Sequence, residues 1–103
     1  MNKLLLLITT VTNEKEAKQI ANQLVEMKLA ACVSFKKISS VYKWEGKIQN
    51  DEEIELSIKS KPENLNAIVD TLKEEIKFEV PQLIYKLFDS EINYLNWVQK
   101  SAN

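Results

Sequence analysis

Residues 29–59, LAACVSFKKISSVYKWEGKIQNDEEIELSIK, decide the fold. They read as two long strands joined at one tight turn. In the second arm Ile54, Leu56 and Ile58 alternate with Glu53, Glu55, Ser57 and Lys59. That is the period-two pattern of a strand with one buried face. The first arm puts Val33 and Phe35 on one face, loses phase at Lys36-Lys37, and resumes with Ile38, Val41, Tyr42 and Trp44. The slip predicts a bulge or bend in that arm. Between the arms stand Glu45, Gly46 and Lys47, and Gly46 is the only glycine in the chain. A left-handed turn position costs glycine least, so Gly46 is expected at the turn. The hairpin is long for the small body this chain can build. A two-stranded ribbon is marginal alone in water, so the overhang predicts a pairing partner.

Working outward, Leu4–Val11 is a nearly continuous apolar run, as expected of a central strand buried on both faces. Asn13 offers an N-cap, with Glu16 three residues on completing a capping-box pattern. Ala17, Ile20, Ala21 and Leu24 recur at helical spacing, and this helix is expected to end near Lys28. On the other side Pro62 suits the first turn of a second helix, whose stripe is Leu65, Ile68, Val69, Leu72 and Ile76. Pro81 then opens a strand expected over 82–88. Residues 89–91 can cap a short terminal helix carrying Tyr94, Leu95 and Val98, with Trp97 beside them. The order strand, helix, strand, strand, helix, strand predicts one α+β domain over residues 1–103. Its expected form is a ferredoxin-like βαββαβ sandwich with a long hairpin between the second and third strands and an extra C-terminal helix.

Composition narrows function mainly by exclusion. A chain of 103 residues with 45% hydrophobic and 28% charged residues is ordinary for one globular domain. Its net charge of −1 argues against a nucleic-acid partner, which normally meets a basic face. There is no histidine, so triads, general bases and metal ligands built on imidazole are excluded within the chain. A single glycine excludes the Walker A and dinucleotide-binding glycine loops, and a single cysteine excludes an intrachain disulfide or multi-thiolate zinc site. The N-terminal apolar run is too short to span a membrane and reads as a strand rather than an export signal. The expectation is a cytoplasmic protein, with no membrane partner and Cys32 reduced.

Five segments stand in order at spacings that resemble the CutA divalent-cation tolerance family. They are Thr9-Thr10-Val11, Leu29-Ala30-Ala31-Cys32-Val33, Tyr42-Lys43-Trp44-Glu45-Gly46-Lys47, Glu79-Val80-Pro81 and Tyr94-Leu95-Asn96-Trp97. The resemblance covers nearly the whole chain. It implies a small, very stable homotrimer in which the long hairpins pair edge to edge around a threefold axis. It implies no enzymatic activity and a link to copper tolerance. The chain also departs from the family, which commonly has a histidine, a proposed copper ligand, where Ile76 stands here. Thr9 occupies a position where some members have a cysteine proposed for the same role. No resident cofactor or tight metal site is therefore expected, and any divalent-cation binding should be weak.

The candidate residues each carry two readings. Cys32 is either a small packed hydrophobe beside Ala30 and Ala31 or, by resemblance, a thiol in a cleft between subunits. Without histidine to activate it, a cysteine-dependent enzyme is the weakest reading. Asp51, Glu52, Glu53 and Glu55 are either a weak hard-cation site or a solvated strand face that discourages wrong edge pairing. Tyr42 and Trp44, beside Gly46, read as trimer-interface anchors or as stacking platforms for a ligand. Lys59 and Glu79, with Phe78 in the same turn as Glu79, match positions the family keeps charged. They read as a surface ion pair or as members of the inter-subunit cleft. A small ligand or divalent cation between subunits is the expected occupant of such a cleft. The competing class is a trimeric ligand-sensing module resembling the nitrogen-regulatory signalling proteins.

Overall fold

In the computed structural model, which describes residues 2–103, the two arms of the hairpin are unbroken. Met1, included above in the domain expected over residues 1–103, lies outside the described residues. The order is β1 (Leu4–Val11), α1 (Glu14–Glu26), β2 (Cys32–Trp44), β3 (Lys47–Ser60), α2 (Leu65–Glu75), β4 (Ile84–Phe88) and α3 (Ile92–Ser101), with a 3₁₀ turn at Pro62–Asn64. The four strands form one antiparallel sheet in the order β2-β3-β1-β4. This is the expected α+β sandwich.

α1 and α2 cover one face. Ala17, Ile20, Leu24, Ile68 and Leu72 from the helices join Leu5, Leu7, Val11, Ile54, Leu56 and Ile58 from the strands in a single buried cluster. Full burial of such a leucine or isoleucine contributes about 2 kcal/mol. Asn13 caps α1 as expected, its Oδ1 accepting from the Glu16 N–H at 2.9 Å. The helix stops at Glu26, where Lys28 turns left-handed (φ 60°) and brings the Leu29 N–H back to the Leu24 carbonyl. α2 ends one residue before Ile76, which is extended but still buried.

Three sequence expectations need correction. The first arm has no bulge: β2 and β3 keep one register from Cys32↔Lys59 to Trp44↔Lys47. The apolar pattern changes phase because the arm leaves the helix layer. Up to Lys37 the helix-facing side is the buried one, and beyond it Ile38, Tyr42 and Trp44 belong to the opposite side. Second, β1 is not buried on both faces. Leu5 and Leu7 are fully buried under the helices, whereas Leu4, Leu6 and Ile8 on the other face are only half-buried. Third, β4 starts at Ile84, not at 82, because its pairing with β1 ends at Ile8↔Ile84. Leu83 instead packs from the loop onto the core.

At the hairpin turn Glu45 (φ 51°) and Gly46 (φ 79°) are both left-handed. Two positive φ values in a two-residue loop match the right-handed twist of the flanking strands. Past the Val11↔Ile54 pair, residues 47–53 of β3 have only β2 beside them. Seven residues at strand rise make an overhang of about 23 Å. The molecule accordingly measures 45 × 24 × 22 Å, with a radius of gyration of 14.4 Å. A compact chain of this length would give about 13 Å.

Candidate functional site

The expected site residues fall into two groups at opposite ends of the sheet. Cys32 opens β2 directly across from Lys59. Both lie on the face turned away from α1 and α2, since their neighbours Val33 and Ile58 face the helices. Cys32 is half-buried, and the Lys59 ammonium donates to Ser34 Oγ at 3.1 Å. Tyr94 of α3 stands nearby. Burial, and then the negative charge a Cys32 thiolate would carry, push the Tyr94 phenol above its ordinary pKa.

Phe78 and Glu79 belong to the loop between α2 and β4. With Tyr42, Trp44, Asp51 and Glu53 from the hairpin and Thr10 from β1, they line an open groove of about 890 Å³. Gly46 sits beyond it at the hairpin tip. Lys59 is opposite Leu6 on β1, whereas Thr10 already borders the groove. Four residues of strand put the two groups about 13 Å apart along β1. The ion pair expected between Lys59 and Glu79 therefore does not form within the chain. Among the described residues the ion pairs are Lys3–Asp89 and Lys36–Glu55.

The acidic run is organised by hydroxyls from the opposite arm. Tyr42 donates to Asp51, Ser39 to Glu52 (2.9 Å) and Ser40 to Glu53 (2.7 Å). The bond to Asp51, followed by burial and the carboxylate charges of Asp51 and Glu53, raises the Tyr42 phenol pKa. The serine partners were missed in the sequence. The signal for Ser39 was that it falls directly opposite Glu52 once the turn is set at Glu45-Gly46.

A tight copper or zinc site needs soft or imidazole donors that converge. Among the described residues no three Cys, Asp or Glu side chains are grouped to hold an ion. Ile76 is part of the hydrophobic core. Thr9 is fully buried on the helix-facing side of β1 and does not line the groove. The donors of one chain do not fit a resident transition metal.

A ferredoxin-like sandwich with an overlong hairpin and a groove between that hairpin and the α2–β4 loop defines a class of small α+β proteins. The comparisons name the family within it: residues 5–101 match the family described as CutA1 divalent ion tolerance protein, and the chain belongs to that family. The rice chloroplastic protein CutA 1 is 37% identical over 95 residues, covering 90% of this chain and 54% of that protein. The divalent-cation tolerance protein CutA of Pectobacterium atrosepticum is 31% identical over 97 residues, covering 92% of this chain and 88% of that protein. CutA from Synechococcus elongatus superposes with a TM-score of 0.94 at 36% identity, covering 100% of this chain and 93% of that one. A second structure of that protein, complexed with Bis-Tris, gives 0.90 at 35% identity, covering 98% and 95%. The chain spans about half the length of the plant and animal relatives it matches.

Proposed function

We propose that the chain works as a non-enzymatic homotrimer of the divalent-cation tolerance type, with a ligand or cation cleft formed between its subunits. The observation that carries this reading is the unfinished state of the sheet. A 23 Å ribbon of two strands projects from the body, and its Val41 and Ile48 side chains are about 70% exposed. The outer face of β1 is half-covered, and all five residues of edge strand β4 are exposed. Closing a ring of copies pairs such edges and covers such faces. It also offers the one way in which Lys59 and Cys32 can meet Phe78 and Glu79, from different copies. Tyr42 and Trp44 would then anchor the interface. The relatives' names support the tolerance role, and the absence of histidine supports a role without catalysis. Sedimentation equilibrium at micromolar concentration should return a mass of three chains, and a monomer would overturn the reading. The unpaired Cys32 fits a reducing, cytoplasmic compartment; named relatives include chloroplastic and periplasmic proteins.

A second reading, a ligand-sensing trimer, is favoured by the Bis-Tris bound to the Synechococcus relative. A ligand held only by the folded assembly raises its melting temperature in proportion to the logarithm of ligand concentration. Thermal scans with small anions, amines and divalent cations separate the two readings. Stabilisation by an organic ligand and not by cations favours the sensor.

A further inference from the structure

α3 stands apart from the body it closes. Leu95, Val98 and Ala102 are buried, yet they lie outside the main core, which the other elements complete without them. The helix is held by polar contacts at its two ends. At the start Lys3 pairs with Asp89, while the Glu91 carboxylate caps the helix itself by accepting from the Asn93 and Tyr94 N–H groups. At the finish the two N–H groups of the Asn64 amide are shared among the Ala102 carbonyl (2.8 Å), the Leu29 carbonyl (3.1 Å) and Ser60 Oγ (3.2 Å). Ser60 Oγ itself donates to the Leu29 carbonyl at 2.6 Å. One amide thus ties the end of α3 to the chain leading into Cys32 and to the residue after Lys59. Ser60 is fully buried and Asn64 half-buried, so water does not readily replace these bonds.

We propose that α3 is a latched cover over the Cys32–Lys59 end of the sheet, that Asn64 is its latch, and that it opens as a unit while the body stays folded. A helix of ten residues is unstable alone, so once its ends are released it should melt rather than persist. Elements with little share in the main core are the ones that open below the global free energy. The same amide holds the Leu29 carbonyl three residues before Cys32, so release of the latch loosens the chain that leads into the half-buried thiol.

Hydrogen exchange read by mass spectrometry, run with thiol labelling of Cys32 on the full chain, tests this. In the wild type, α3 amides should exchange and Cys32 should label faster than β1 and β3 amides open. Exchange of the α3 amides should respond only weakly to urea, because a local opening exposes little surface. Asn64→Ala should raise both rates about tenfold or more, the effect of losing buried hydrogen bonds, while leaving β1 and β3 protection unchanged. The proposal is overturned if α3 and Cys32 open only with β1 at the urea dependence of global unfolding. It is also overturned if Asn64→Ala accelerates every element alike, or changes neither rate. The wild-type urea dependence decides the case even where the variant folds poorly.

Discussion

Thr9 is wholly buried, and its hydroxyl has no hydrogen-bond partner. An unsatisfied hydroxyl in an apolar layer costs free energy that an isosteric methyl avoids. Thr9→Val should therefore stabilise the chain by about 1 kcal/mol in urea denaturation, with an unchanged urea slope. A destabilised variant would mean that the hydroxyl is satisfied by water. Gly46 presents the opposite case. A Cβ built there would meet nothing within 4 Å, so any cost of substitution is conformational. Gly46→Val places a β-branched residue at φ 79° and should cost about 1–3 kcal/mol. Equal denaturation midpoints for variant and wild type would show that the turn relaxes freely. Gly46 was legible because the chain has one glycine and one turn needing it. Glu45 was not, since nothing in a glutamate marks a left-handed residue.

At the scale of elements, the helices and the hairpin were readable because their periodicity survives in one chain. Asn13 and Glu91 announce the starts of α1 and α3, and both cap as expected. The misreadings cluster where another surface sets the pattern. Ile38, Tyr42 and Trp44 carry an apolar phase on the face turned away from α1 and α2, which reads as a bulge or bend although the pairing with β3 keeps one register. The separation of Lys59 from Glu79 was illegible for a different reason: their distance follows from the sheet register, which alternation alone does not number. The cap of α3 makes a prediction about pH. Two backbone N–H groups, Asn93 first and then Tyr94, hold the Glu91 carboxyl below its ordinary value of 4.5. A depressed folded pKa stabilises above the unfolded value, and that stability is lost as pH falls through the lower folded value. Protection of α3 amides, corrected for intrinsic exchange, should thus be constant from neutrality to about pH 5 and fall below it. Glu91→Gln should flatten this acid loss. The same loss in the variant would place the titration elsewhere, on Asp89 for instance, whose carboxyl Lys3 also holds low.

For the whole molecule, metal affinity is a question about how many donors an assembly can bring to one point. One chain brings Cys32 as its only thiolate, no imidazole, and, among the described residues, no group of carboxylates placed to hold an ion. Asp51, Glu52 and Glu53 each accept a hydroxyl from the facing arm, and Glu79 stands across the groove from them. Assembly can change this only by moving Cys32 toward donors of another copy. In the proposed ring each Cys32 would meet the groove residues of one neighbour, so the three thiols stay in three separate clefts. One thiolate with one or two carboxylates makes a poor copper site compared with thiolate and imidazole sets. Cu²⁺ should then bind weakly, with no saturable stoichiometric site in calorimetry at neutral pH on tag-free protein. Cys32→Ser should leave the heat signal nearly unchanged, and Glu79→Gln should reduce it as much as any other surface carboxylate change would. A submicromolar site with one ion per chain, abolished by Cys32→Ser, would overturn this. A site with one ion per three chains, lost in the same variant, would instead bring the thiols to a common axis and exclude the separate clefts.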